Sequence, residues 1–342
     1  MAISYYKGHD SYVIYGEETS FGAGATPSGS NFVGLIQNFS MNAANNSIRT
    51  QGLGEGRNAT NIVLGGFDVN GSIDFQVNDF TFMQYAIGTR AGAGSAADPY
   101  ELQELENVGY SGATEIPTLE FQIGSEGGSN DYTRTVTGVV INTLTLNANQ
   151  GEVLNATCDW IGKTLSVGTS LTTYTPGSEK PFVFQEGSVT VNGDTVFACT
   201  AFSVTLNNNM QTFRALGDRD LQQPTTGLRT YDFNLTIRMN YNDAGSTISG
   251  IEAFEIFMGA LGNSSPNTGG TATKYPVSLD ITEGASTGDR VVNIDLEECV
   301  FDTAAEAIAL DGGVIELTIS GMAQAGLTDS TAKVPIRYYT IA

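Results

Sequence analysis

The stretch FDVNGSIDFQVNDFTFMQYAIG, residues 67–88, decides the fold, because it spells a strand and then a helix. Phe67, Val69, Ile73, Phe75 and Val77 alternate with Asp68, Asn70, Ser72, Asp74 and Gln76, which gives a strand with one apolar and one polar face. After Asn78 and Asp79, either of which caps a helix N-terminus, the spacing changes to Phe80, Met83 and Ile87, with Gly88 where a helix stops. A half-buried strand followed by a short amphipathic helix is the reading.

The chain writes this twice. YDFNLTIRMNY at 231–241 aligns without a gap on residues 67–77, with Tyr231, Phe233, Ile237 and Met239 in the apolar register and Asp232, Asn234 and Thr236 in the polar one. FEIFMGALG at 254–262 lies over FTFMQYAIG at 80–88, and AFSV at 201–204 matches NFSM at 38–41. Residues 276–281 fall over 117–122 with a shift of one, and 312–319 over 151–158. A long period present twice argues duplication rather than a solenoid.

A chain of 342 residues has room for two cores. The repeat divides it into an N-terminal arm (1–30), a first domain (31–168), a linker (169–187) containing Pro176, Gly177 and Pro181, a second domain (188–327) and a C-terminal segment (328–342). Charged residues make up only 15%, and the apolar segments are short and alternating. Such a composition belongs to an all-β protein with many turns.

Tyr5, Tyr6, Tyr12, Tyr15 and Phe21 make the arm too aromatic to be left in water, so it is expected to lie on its own or a neighbouring subunit. The connection 42–66 carries Arg49, Gly52 and Arg57, and its counterpart carries Arg214 and Arg219. Their length points to inter-subunit loops or hairpins, against the blander reading of a mobile surface loop. Residues 89–115, rich in Gly, Ala and Ser, read as another long loop.

With 37 acidic and 15 basic residues the net charge is −22, which disfavours binding to a phosphate backbone. Solubility in salt is the plain alternative explanation. Cys158, Cys199 and Cys299 are widely spaced among strand-like residues and read as buried thiols. His9 is the only histidine, so neither a zinc site nor a histidine-based triad is written here, and no cofactor is expected. The glycines at 52–56 lack phosphate-loop spacing, and NYNDAG at 240–245 lacks the distal glutamate of a calcium loop. Paired carboxylates can meet in space, but Trp160 is the only tryptophan and no sugar cleft is suggested. The expectation is a protein that is not an enzyme. Neither an export signal nor a run of 18 apolar residues occurs, so membrane insertion is not expected.

YGEETSFG at 15–22 with GATP at 24–27, the Gly/Arg-rich loop, and DVNGSIDF at 68–75 leading to a helix that ends YAIG at 85–88 together resemble the major tail tube proteins of long-tailed (siphovirus-like) bacterial or archaeal viruses. The resemblance implies two tandem β-sandwich or barrel domains, each flanked by a helix. It implies trimers with pseudo-sixfold symmetry stacked into a hollow tube, capped by other tail proteins, through which double-stranded DNA passes without specific binding. The protein would be made in the host cytoplasm and reside in the virion tail. Asp68, Asn70, Ser72, Asp74, Asp232, Asn234, Thr236 and Arg238 would then face the lumen. Arg238 breaks the acidic pattern, and pairing with an acid of a neighbouring strand or domain is its other reading. The main rival is a virion decoration or cell-surface layer protein built from Ig-like domains.

Overall fold

The computed structural model describes residues 5–53, 57–58, 61–104, 116–128, 130–175, 177–196, 198–240, 247–259, 265–266, 273–308, 313–323 and 335–341. In chain order the strands of the first half are β1 (Ser11–Glu17), β2 (Leu35–Ala44), β3 (Ile48–Thr50), β4 (Asn61–Val63), β5 (Asp68–Gln76), β6 (Gly88–Ala91), β7 (Tyr100–Glu104), β8 (Leu119–Ser125), β9 (Tyr132–Asn149), β10 (Asn155–Gly162) and β11 (Thr164–Gly168). Those of the second half are β12 (Gly187–Val191), β13 (Asp194–Val196), β14 (Cys199–Asn207), β15 (Thr230–Arg238), β16 (Thr247–Ile248), β17 (Tyr275–Thr282), β18 (Arg290–Ala307), β19 (Glu316–Ala323) and β20 (Ile336–Thr340). Helix α1 is Gln84–Ile87 and α2 is Gly250–Phe257. The chain is all-β with short flanking helices.

Alternation in residues 67–77 does what its period dictates. Val69, Ile73 and Phe75 are buried, while the residues between them face out. β5 pairs antiparallel with β2 on one side and β10 on the other, and β10 pairs with the C-terminal half of β9. The second half repeats the arrangement: β15 lies between β14 and β19, and β19 pairs with the C-terminal half of β18. The N-terminal halves of the two 18-residue strands β9 and β18 enter a second layer. There β9 joins β8, β1 and β11, and β18 joins β17, β12 and β20. Each half is therefore two sheets sharing one long strand, with the core between them. Gly138, at φ +65°, sits where β9 passes between layers, and a Cβ there would meet the Lys163 side chain at 2.7 Å.

Strand pairings fix which residues correspond. The rung Ser40–Ser72–Asp159–Thr143 runs across β2, β5, β10 and β9, and its counterpart Ser203–Asn234–Ser320–Thr303 runs across β14, β15, β19 and β18. Ser40 and Ser203 stand together as the NFSM and AFSV match requires. Ser72, however, corresponds to Asn234, two residues away from its partner in the gapless alignment of 67–77 on 231–241. A slip of two leaves every side chain on its own face, so the polar and apolar assignments survive it. The slip has a packing cause. Gly71 pairs with Trp160, whereas its counterpart Phe233 pairs with Gly321. Both halves put one large ring against one glycine, on opposite strands: a Cβ on Gly71 would stand 2.7 Å from the Trp160 ring, and one on Gly321 would stand 2.6 Å from the Phe233 ring.

Three expectations change at this level. Within the arm, Ser11–Glu17 is a sheet strand paired along its length with β8, and Val13 to Gly16 are buried on both faces beneath residues 18–34. The loop expected at 89–115 contains the β6–β7 hairpin, and β7 adds to β20. The first helix is a 3-10 turn at Thr81–Met83 running into α1; it buries Phe82, Met83, Tyr85, Ala86 and Ile87 and leaves Thr81 and Gln84 half-buried on its polar side. Its counterpart α2 starts at Gly250, earlier than the sequence alignment places it, because Ser249 and Glu252 form a capping box.

All three cysteines are free thiols; Cys158 and Cys299 are buried and Cys199 is half-buried. Burial pushes Cys199 and Cys299 up to about 12, and burial with the nearby Glu17 charge pushes the Tyr85 phenol up to about 12. Cys158 and Tyr15 shift the same way, chiefly through burial. Unfolded, the thiols release protons near 9 and the phenols near 10. The folded chain thus holds protons that the unfolded chain has lost. This contribution to stability is complete below about pH 9 and declines as pH rises toward about 12. Urea midpoints are expected to fall between about pH 8 and about pH 11; an unchanged midpoint would contradict burial of these groups.

Candidate functional site

β9 also pairs with β14, from Asn149 opposite Ala201 to Thr143 opposite Asn207. This joins the two halves into one continuous sheet in the order β2–β5–β10–β9–β14–β15–β19–β18. Period-2 alternation is in phase across the junction, so one face of the whole sheet is core and the other is predominantly polar, interrupted by Met322 opposite Asp232 and Ala305 opposite Thr318. On the polar face the strands present Ser40, Ser72, Asp74, Thr157, Asp159, Thr143, Thr145, Ser203, Thr205, Asp232, Asn234, Thr318, Ser320 and Thr303.

Cross-strand hydrogen bonds hold these side chains in place. Asp74 accepts from Asn38 Nδ2 at 3.1 Å and Thr157 Oγ1 at 2.8 Å, and Asp159 accepts from Thr143 Oγ1 at 2.6 Å. Ser40 and Ser72 hydroxyls meet at 2.8 Å, Thr236 and Thr318 at 3.3 Å, and Thr303 bonds Ser320. Thr145 and Thr205 share a hydrogen bond of 3.0 Å across the junction itself. Hydroxyls bridging to carboxylates and to one another fix these side chains in place. Arg238 is paired with Glu316 of β19 at 3.5 Å.

The polar residues that the sequence singles out on β5 and β15 share this face of the sheet. Asp68 is at its border, where it accepts from Arg214 and Asn46. Asn70 and Asp232 are exposed. The contributions of β9, β10, β14 and β19 were not picked out from sequence. Their signal was present in the alternating Thr143, Thr145, Asn147 and in Asn155, Thr157, Asp159.

Arg214 and Arg219 hold the second half's 208–229 connection to the first half. Arg214 donates to the Phe67 carbonyl at 2.9 Å and to Asp68, while Arg219 donates to the Gly65 carbonyl and Asn45 Oδ1, each at 2.8 Å. Arg49 lies exposed on the β3–β4 hairpin, opposite Ile62, and Arg57 is exposed beyond it. Gly52 is near the tip of the same hairpin. Ile48, Ile62, Val63 and Leu64 of this hairpin are all more than half or nearly half exposed.

The aromatic arm divides. Tyr15 is in the core against Phe82 and Tyr85, out of reach of any neighbour. Tyr12 stacks on Tyr174 and accepts from the Thr172 N–H at 2.8 Å. Phe21 lies under the Lys163 ammonium. Only Tyr5 and Tyr6 stay largely exposed, Tyr6 donating to the Asn130 carbonyl at 2.6 Å. Residues 18–25 are tied down by Glu18, which accepts from the N–H groups of Gly22, Gly24 and Gly138.

Among the described residues no cluster of His, Cys, Asp and Glu is placed to hold a metal ion, and no helix is long and apolar enough to cross a membrane. A broad hydroxyl-lined sheet face, with β2 and the end of β18 unpaired on their outer sides among the described residues, is what the two halves build together. Residues 8–323 match the family described as phage tail tube protein, and the chain belongs to that family. It is a structural tail protein of the virion. No curated protein matches the chain.

Proposed function

We propose that three copies close into a ring, that rings stack into a hollow tube, and that the polar sheet face is the wall past which double-stranded DNA travels. The carrying observation is the continuous face itself: two repeated halves, the product of a duplication on this reading, are already joined edge to edge within one chain. Among the described residues β2 and the Thr303–Ala307 part of β18 pair on one side only, so each copy ends in an open strand at either side. With strands about 4.8 Å apart and tilted about 36°, the roughly 24 strands of three copies enclose a barrel about 45 Å across at the backbone and about 35 Å between side chains. Two copies, with roughly 16 strands, would leave about 20 Å, too little for a hydrated duplex.

Asp74, Asp159 and Asp232 on this wall repel phosphate, and at physiological salt that repulsion acts only within about 8 Å. A wall with Thr, Ser and Asn between its acids, and with Arg238 paired to Glu316, offers DNA little counter-charge to hold it. Other tail proteins at the tube ends and synthesis in the host cytoplasm complete the reading. Negative-stain electron microscopy of the purified chain tests it: rings with six lobes or stacked hollow tubes are expected. Flat sheets, or particles without sixfold features, would transfer the protein to the decoration class.

A further inference from the structure

The junction inside the chain has an unfilled twin at the chain's two ends. Because Ser40 corresponds to Ser203 and Thr143 to Thr303, the pairing of β14 on β9 maps onto a pairing of β2 of one copy on β18 of the next. Resting on the ring reading above, we propose that copies join head to tail in this one register, with Ala44 opposite Thr303, Ala43 opposite Ala304, Asn42 opposite Ala305 and Met41 opposite Glu306. We propose also that this seam is the weaker of the two kinds in the ring.

The register closes a barrel. Following neighbours across one half, from Ser40 through Ser72, Asp159 and Thr143 to Asn207, returns to the position equivalent to Ala44, four residues along the strand. A stagger of four residues for every four strands makes shear equal to strand number. That ratio gives a tilt of about 36°, as in the closed eight-stranded barrel. Polar faces also meet polar faces: Asn42 and Ala305 fall where Thr205 and Thr145 stand inside the chain.

The residues at the two seams differ in kind. Inside the chain Leu206 meets Leu144, Val204 meets Leu146 and Phe202 meets Ala148, all buried. At the open edges the same positions hold Ala43 and Ala304, Met41 and Glu306, and Phe39 and Ile308. The Thr145–Thr205 hydrogen bond has no counterpart between Asn42 and Ala305. The outer seam thus loses the Leu206–Leu144 and Val204–Leu146 pairs and gains a carboxylate on the core side, which together outweigh the larger Ile308. Copies should therefore come apart as intact two-half units, leaving the inner junction whole.

Two measurements test this. The double variant Asn42→Cys/Ala305→Cys is expected to form disulfide-linked dimers and trimers under mild oxidation, while Asn42→Cys/Thr303→Cys, two residues out of register, is not; the unsubstituted chain controls for its own thiols. Glu306→Leu, which restores the residue found at Leu146, is expected to tighten association by roughly 10- to 100-fold in sedimentation or mass photometry. Rings or tubes in the microscope with cross-linking only in the shifted pair, or in neither, would overturn the register while leaving the ring reading intact. Absence of rings and tubes altogether would remove the ring reading itself. Unchanged or weaker association of Glu306→Leu would overturn the weaker-seam assignment.

Discussion

Arg290→Ala is expected to destabilise the folded chain by about 3–5 kcal/mol, because one guanidinium ties three parts of the molecule together in a nearly dry site. Arg290 opens β18, and its Nε donates to Glu283 Oε2 at 2.8 Å while Nη2 reaches the other carboxylate oxygen. It also donates to the Asn78 carbonyl, at the end of the first half's central strand, and to the Lys180 carbonyl at 2.6 Å in the connecting segment. Its plane lies over the Phe182 ring, 4.3 Å from the centroid. Burial would raise the Glu283 pKa, but the hydrogen bonds and charge of Arg290 hold it below the usual carboxylate range. Removing the guanidinium leaves that carboxylate with the backbone N–H of residue 290 at 3.1 Å and Lys180 at 3.7 Å, and strands two carbonyls. Arg290→Lys keeps the charge without the fork and should lose less. The sign of the linkage follows: a lowered folded pKa contributes stability above the unfolded value near 4.5 that is lost as pH falls through the folded one. The difference between wild type and Arg290→Ala should therefore shrink in acid. Urea unfolding at neutral pH reads the main effect, and a loss below about 1 kcal/mol would show that the clamp contributes no more than a surface ion pair.

Much of this architecture is legible in the sequence because the period of two in residues 67–77 is local. A strand with one wet and one dry face must alternate, and the alternation states which residues belong to which face. The polar-face residues of β5 and β15 are readable for the same reason. What was not readable depends on partners distant in sequence. Val13, Ile14, Tyr15 and Gly16 form no alternating pattern because residues 18–34 cover the outer side of β1, so the strand passed for part of an arm. The correspondence of Ser72 with Asn234 was hidden by the exchange of ring and glycine between Gly71/Trp160 and Phe233/Gly321, a choice visible only when both strands of the pair are seen. The inner junction carries Leu144, Leu146, Leu206 and Thr145, residues that any half-buried strand would carry. Even the two arginines assigned to loops between subunits turn out to bind the chain to itself, since Arg214 and Arg219 spend their donors on Gly65, Phe67, Asp68 and Asn45.

Lysines placed on the polar face should convert an indifferent wall into one that grips DNA, and this has the second large expected effect. Asn70, Asp232 and Asn234 are exposed on that face, and only Asn234 makes a side-chain bond there, a long one of 3.4 Å to Ser203. The triple variant Asn70→Lys/Asp232→Lys/Asn234→Lys therefore leaves the Asp74 and Asp159 bridges and the core untouched. Long lysine stems can lie along the sheet while their ammonium groups reach the water. A ring of three such copies would carry up to roughly nine added cations, and 6–10 phosphate contacts weaken binding by about 10³–10⁵ between 50 and 200 mM salt. Preformed tubes of the variant are expected to retain a labelled duplex at low salt, shield it from nuclease and release it steeply as salt rises. Tubes with the native wall should retain none at either salt. The neutral variant Asp232→Asn separates loss of repulsion from gain of attraction, and should fall close to wild type because a single removed charge supplies no phosphate ligand. Shielding is the decisive readout: lysines on an outer surface would bind DNA but leave it open to nuclease. A variant tube that binds duplex without protecting it would place this face outside the tube and overturn its assignment as the wall.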